Sequence, residues 1–456
     1  MNNGRIETAP KEQAHDVAWS RWNDKIRRIA KIGFVRDVMA TYSTRIFLIV
    51  VGLVNTVVVA RILGPEGRGF YAVAMAIGTL GVQFGCLGMH SSNVYFVSKN
   101  REYLGRLVGN SLILSAVVGV VVIVGSYSVF GAWPQLSPAQ GGILLFGLLW
   151  APIGTAYLLT QSLLIGVNEV KLYNRTEAAN RVAALIMVVC LIPTHLISPE
   201  LAFAAGLLAM TAMLGVIVWR LVKIAGGPPW PSMDLFKSNF SYGMRAYLTT
   251  FFCYLVIRTD VLMLKYLRGA TDAGYYSIAF SMSDYVGLLP VLVGLLLMAK
   301  LSATEEIISK YKMMKKATVG TVIIQGPLIL ISAILAPFAV KLLFGKAYAP
   351  SVPAYLWLCP GAIFLTVYTV SVQFLNSIGF PVSVVWIWLV TVVLKVSLNL
   401  WLIPLYGLKG AALASSICYM APSAAVLIVI RREMGRASQS RSDRLPEINA
   451  LSPDAP

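Results

Sequence analysis

The sequence predicts an all-α polytopic membrane protein, with about twelve transmembrane helices in two pseudo-symmetric six-helix bundles around a central cavity. Three observations carry this. The chain has 456 residues, 57% hydrophobic and only 13% charged, where soluble chains carry about 25% charged residues. Apolar runs of roughly 20 residues, the length that crosses hydrocarbon, recur along it. A stretch in the middle also repeats one near the start. Shifted back by 205 positions, Gly269, Gly274, Tyr276 and Ala279 fall on Gly64, Gly69, Tyr71 and Ala74, and Asp260 falls on Asn55.

The apolar runs lie at about 38–60, 70–97, 107–130, 141–165, 178–197, 201–223, 240–266, 274–299, 317–343, 353–377, 382–403 and 409–430. Pro152, Pro290, Pro327 and Pro360 fall inside them. Such prolines are tolerated where neighbouring helices or cavity water satisfy the freed carbonyls. Residues 1–37 form a basic cytoplasmic segment, read either as a plain tail or, through Trp19, Trp22 and Ile26, as a helix on the membrane surface. Residues 38–224 form the first lobe (spans 1–6) and 240–430 the second (spans 7–12). The linker, 225–239, contains Gly226-Gly227-Pro228-Pro229. Residues 431–456 are polar and are expected to be a disordered cytoplasmic tail. An even number of spans per lobe brings both lobes in from the same side, related by an axis along the membrane normal. A second echo agrees: Leu191-Ile192-Pro193 and Leu402-Ile403-Pro404 each precede an Ala-rich span.

The net charge of +18 resides in short loops and termini. That is the pattern of membrane topology and not of nucleic-acid binding. With the N-terminus inside, Lys300, Lys310, Lys312, Lys315 and Lys316 lie on the cytoplasmic side, and the external loops after spans 3 and 5 hold no Lys or Arg. Both termini are therefore expected in the cytoplasm, with the chain in the inner (cytoplasmic) membrane. The five cysteines lie in apolar runs with no CxxC, and the three histidines are scattered, so no metal, cofactor or catalytic residue is expected.

Charge inside a span costs about 2.5–3.5 kcal/mol per residue on insertion scales, so it normally faces protein or water. The intramembrane cations are Arg45, Arg181, Arg245, Arg258 and Lys395, and the anions are Asp260 and Asp284. The five cations are expected to line a cavity for an anionic substrate, since the planar guanidinium fork suits phosphate. Asp260, Asp284, Asn55 and Asn399 are candidates for ion coupling or a polar cavity wall, and Lys395 is read as serving either anion binding or ion coupling. Competing readings have Arg181 and Arg245 snorkelling to headgroups and Arg258 pairing structurally with Asp284. Positions 258 and 260 stand about 200° apart on a helix. Arg258 is assigned to the cavity, on the stripe of Tyr247, Phe251 and Tyr254, and Asp260 is left to bridge to span 8 or another helix. Lys395 and Asn399 share a face at i, i+4.

Three stretches carry a family resemblance. They are Ala60-Arg61-Ile62-Leu63-Gly64-Pro65-Glu66-Gly67-Arg68-Gly69, then Arg258-Thr259-Asp260 with Gly274-Tyr275-Tyr276, and lastly Asn399-Leu400-Trp401-Leu402-Ile403-Pro404 followed by Tyr406-Gly407-Leu408-Lys409-Gly410-Ala411-Ala412. In this order they resemble the polysaccharide (oligosaccharidyl-lipid) flippases, the O-antigen-flippase-like branch of the multidrug/oligosaccharidyl-lipid/polysaccharide (MOP) exporter superfamily. The resemblance implies alternating access and no enzymatic activity. It implies a lipid-linked oligosaccharide substrate on polyprenyl diphosphate, carried from the inner to the outer leaflet for exopolysaccharide, O-antigen or capsule assembly. It leaves room for contact with a polysaccharide polymerase or glycosyltransferases. Alternative readings are a peptidoglycan-precursor flippase, a drug extruder, which would want an anionic cavity, and a membrane polymerase or ligase, which would expose a large charged external loop.

Overall fold

The computed structural model describes the backbone of residues 33–450 except 140, 195, 196 and 380, and their side chains except 33–45, 136, 245, 246 and 437–450. The chain divides into two compact units, Met1–Leu53 and Val54–Pro456. The described part of the first is the opening of helix α1 (Gly33–Cys86), and everything below concerns the second. The surface-helix reading of the N-terminal segment lies outside the described residues.

All regular structure among the described residues is helical. After α1 come α2 (Met89–Lys99), α3 (Leu104–Ala132), α4 (Gly141–Gly166), α5 (Val170–Cys190), α6 (Pro199–Ala225), α7 (Met233–Arg268), α8 (Ala270–Val286), α9 (Leu288–Ser302), α10 (Ile307–Leu343), α11 (Ser351–Ser377), α12 (Ser383–Tyr406) and α13 (Leu408–Ala450). Hydrocarbon offers no partner for a backbone N–H or C=O, so each crossing must satisfy its own. Ten of the helices are long and apolar enough to cross a membrane, or eleven counting α8 and α9 as one bent span. The first of these takes in the first expected span and the greater part of the second, which continues past a break at Leu87–Gly88 into α2; the two are divided at Gly64, whose φ of 66° and ψ of 179° break the helix ahead of Pro65. Gly269 takes the same conformation between α7 and α8, with φ 104° and ψ 175°. That region of backbone space is essentially restricted to glycine, so the repeat seen in the sequence is also a repeat of chain geometry.

Exposed apolar residues mark the lipid-facing stripes: Val117, Val120, Val121 and Val124 on α3, and Ile323, Ile324, Ile331, Ile334 and Phe338 on α10. In the first half α2, α3, α5 and α6 pack around α4, and α6 also packs on α3 and α5; in the second, α13 packs on α11 and α12, and α12 on α7. Small hydroxyls join neighbouring helices in the second half. Ser416 donates to the Trp357 carbonyl at 2.6 Å and Ser423 to that of Phe364 at 2.6 Å. Such interhelical bonds average about 0.6 kcal/mol in membranes.

Span 8 is bent by 40° between α8 and α9. Pro290 has no N–H for the Val286 carbonyl four residues back, and Gln325 Nε2 on α10 supplies the missing donor at 2.8 Å. The segment from 431, expected to be disordered, continues α13 as helix to Ala450. Arg436 and Glu433 pair there at 2.9 Å, three residues apart on one face.

Candidate functional site

Helix α7 has two working faces. Val256, Asp260 and Leu264, spaced by four, are all fully buried in the second half. Phe251, Leu255 and Leu262 face the other way, towards the last turns of α1. The 200° separation of Arg258 and Asp260 therefore sends one charge to each side.

Asp260 is the centre of a closed polar cluster. Its Oδ2 accepts hydrogen bonds from Tyr276 Oη at 2.5 Å, Ser415 Oγ at 2.6 Å and Lys395 Nζ at 2.9 Å. Its Oδ1 accepts from Asn399 Nδ2 at 2.7 Å and lies 2.7 Å from Lys395 Nζ. The Lys395 ammonium also donates to Ser415 Oγ at 2.6 Å. Four helices contribute (α7, α8, α12 and α13), and Lys395 and Asp260 are 1% and 0% exposed. Asp260 thus bridges both to span 8 and to another helix, as its angle on α7 required. Lys395, expected to line an anion-binding cavity, is instead turned into the second half and neutralised by Asp260. Its i, i+4 neighbour Asn399 joins it there because both lie on the buried face of α12.

Arg258 remains on the opposite face. It is half-buried, with its guanidinium 5.6 Å from the centre of the Phe280 ring, and its Nε is buried without a hydrogen-bond partner. No ion pair joins it to Asp284 among the described residues, and Asp284 is exposed. A buried donor left unbonded costs about 1–3 kcal/mol, more when charged. The Oδ1 of Asn55, the counterpart of Asp260 in the repeat, is likewise buried and unpartnered. Arg181 is exposed and pairs along its own helix with Glu177 at 3.8 Å, apart from these groups. The side chains of Arg45 and Arg245 lie outside the described residues.

The halves of the second unit meet at both ends of α7. At the Gly64 end the contact is reciprocal. A Cβ on Gly69 would lie 1.8 Å from the Ala270 carbonyl oxygen, and one on Gly274 would lie 1.9 Å from that of Pro65. Beside it the buried Arg68 donates to Ser277 Oγ at 3.2 Å and stacks 5.2 Å from the Tyr71 ring centre. Arg61 caps the end of α10 through the carbonyls of Leu343 and Leu342, at 2.6 and 2.5 Å, where a cation complements the helix dipole. Tyr348 donates to the Ala60 carbonyl at 2.8 Å. Burial pushes its phenol above the usual value, with Arg68 a smaller opposing cause, so it stays protonated.

At the other end an amide chain closes the contact. Ser92 Oγ bonds to Asn239 Oδ1, Asn239 Nδ2 donates to Asn93 Oδ1 at 2.6 Å, and Asn93 Nδ2 donates to Ser111 Oγ at 3.2 Å and the Leu159 carbonyl at 3.3 Å. Tyr247 donates to the Phe84 carbonyl at 3.0 Å. Replacing Asn239 by Leu strands buried Ser92 and Asn93, and should destabilise the protein by about 1–3 kcal/mol. Thermal unfolding in detergent reads this directly, and an unchanged midpoint would show that the chain carries no stability. The sequence reading nominated neither asparagine. Asn239 sits at a span edge, where polar residues are ordinary, and Asn93 is one polar residue in a mixed stretch. Ser415 was hidden in the small-residue run Ala411-Ala412-Leu413-Ala414-Ser415-Ser416.

The sequence model of the family described as "Polysaccharide biosynthesis protein" matches residues 34–301. An uncharacterised membrane protein of Methanocaldococcus jannaschii is 26% identical over 229 residues, which is 48% of this chain and 45% of that protein. The match thus spans about half the length of that relative. Among solved structures, the lipid II flippase MurJ in an inward closed conformation superposes with a TM-score of 0.71 at 14% identity, covering 92% of this chain and 94% of that one. An inward-facing multidrug resistance transporter of the MATE family, in the MOP superfamily, gives 0.68 at 15% identity, covering 86% and 96%. At such identities the likeness speaks for the fold. A family match over more than half of the chain, on helices arranged in the two-lobe manner of MOP-superfamily transporters, makes this protein a member of the polysaccharide biosynthesis protein family.

Proposed function

We propose that this protein is a flippase that carries oligosaccharide repeat units linked to polyprenyl diphosphate from the inner to the outer leaflet of the cytoplasmic membrane, by alternating access, for surface polysaccharide assembly. The observation that carries this reading is Arg258, a cation held at span depth with a buried, unbonded Nε. A diphosphate head group offers oxygens that fit its fork, and the family match supports a polysaccharide precursor. Both termini lie in the cytoplasm in this reading, on the distribution of Lys and Arg. Contact with a polymerase or glycosyltransferases belongs to the same reading.

The Asp260–Lys395 cluster would then serve the return step, as an internal charge pair that ties α7 to α12. The likeness to a lipid II flippase favours one second reading, a peptidoglycan-precursor substrate. It shares the diphosphate and differs in the glycan. Reconstitution with defined lipid-linked glycans and a leaflet-sidedness assay separates the two. In cells making the polymer, Arg258→Gln should lower surface polysaccharide at least about tenfold, as expected if the lost charged hydrogen bond is worth some 1.5–3 kcal/mol. Unchanged polymer at normal protein level would overturn the role of Arg258.

A further inference from the structure

The outward faces of α9 and α10 both end in lysine. On α10 the exposed residues Lys312, Lys315, Lys316, Val319, Ile323 and Ile334 fall in one sector about 100° wide at 3.6 residues per turn. Lys310 lies off that sector, turns inward and donates to the Ser377 carbonyl at 3.2 Å. Helix α9 packs beside α10 and repeats the order, with exposed Leu296 one turn before exposed Lys300. Among the described residues no carboxylate pairs with Lys300, Lys312, Lys315 or Lys316. Glu305 and Glu306 stand ahead of α10, and Glu306 accepts a hydrogen bond from Ser309 Oγ at 2.8 Å. The stripe itself carries no acid.

We propose that this stripe is a binding site for an anionic phospholipid of the surrounding bilayer. It stands apart from the flippase reading, because it lies on the lipid-facing surface of the second half. Membrane topology asks only that lysines gather on one side of the bilayer. Here they gather on one helical face, and that face continues as side chains turned to hydrocarbon. Val319 and Ile323 lie about 5 and 11 Å beyond Lys316 at 1.5 Å per residue, within the roughly 15 Å that the chains of one leaflet cover. A phospholipid whose phosphate sits at the lysines therefore lays its acyl chains along Val319 and Ile323. The lysine stems are long enough to bring their ammonium groups to the head-group level. Basic clusters there favour anionic lipid by roughly fivefold for each lysine in reach. A zwitterionic head group carries its own cation and gains no such preference.

The test uses the full chain in nanodiscs, with exposed Cys190 replaced by Ser, Val319→Cys added and a bimane fluorophore attached there. The Cys190→Ser parent gives the background. The discs hold phosphatidylcholine, into which a small fraction of chain-brominated lipid is mixed as quencher. Brominated phosphatidylglycerol should quench at least about twice as strongly as an equal fraction of brominated phosphatidylcholine, given roughly fivefold preference per lysine. Lys312→Gln, Lys315→Gln and Lys316→Gln together should make the two quenchers equal, and arginine at the same three positions should keep the excess. Equal quenching with the lysines in place overturns the proposal, and so does an excess that survives the glutamine substitutions. A stripe that shows no excess yet binds soluble polyglutamate through the same lysines is a surface for an acidic protein segment, which overturns it as well.

Discussion

Lys395→Met is expected to cost about 3–5 kcal/mol of stability, the range seen when one partner of a buried ion pair is removed. The methionine fills the space of the lysine stem and removes only the ammonium. Asp260, with no exposed surface, would keep its bonds to Tyr276, Ser415 and Asn399 but lose the charge that balances it. Asp260→Asn should destabilise to a similar extent, by leaving the ammonium uncompensated. The double variant should recover most of the loss, because a neutral pair replaces a charged one in the same volume. A double-mutant cycle on thermal midpoints in detergent measures that recovery. Single variants as stable as the parent would show that the pair is not held as the distances imply. If the pair also serves the return step, the double variant should fold, reach the membrane and still fail to export polymer.

Gly274→Ala should disable the contact at the Gly64 end. The added methyl would lie 1.9 Å from the Pro65 carbonyl oxygen, and no rotamer can relieve it because the obstacle is backbone. Overpacking of this kind costs about 1–3 kcal/mol, which is roughly a 5–150-fold loss in the population of the closed arrangement. Gly69→Ala meets the Ala270 carbonyl in the same way and should behave alike. Distances between spin labels on Tyr71 and Ser281 positions, introduced as cysteines, would lengthen in both variants. Exported polymer should fall with them. A label distance unchanged in either variant would mean that the two segments part and meet without this contact.

Much of the fold was legible because hydrocarbon imposes one period and one length on the chain. Most of the twelve apolar runs reappear as continuous helix, the second being broken at Leu87–Gly88 and the eighth bent, and the 205-residue repeat reappears as matched breaks at Gly64 and Gly269. Helical angle alone placed Asp260 and Arg258 on opposite faces of α7. Less legible was which face met which helix. Lys395 was grouped with the arginines by charge, and only the packing of α12 on α7 shows that it answers Asp260. The bend in span 8 followed from Pro290, but its repair by Gln325 is a contact between distant helices, and no local pattern encodes it. Nor does composition announce that Ser92, Asn93 and Asn239 form one chain of bonds.

The two close approaches at the Gly64 end exchange places under the same shift that relates the repeats. Gly69 against Ala270 becomes Gly274 against Pro65. That reciprocity is the mark of an isologous interface, in which one surface patch meets its own copy. The present protein, cut within residues 225–239 and expressed as two polypeptides, should accordingly reassemble.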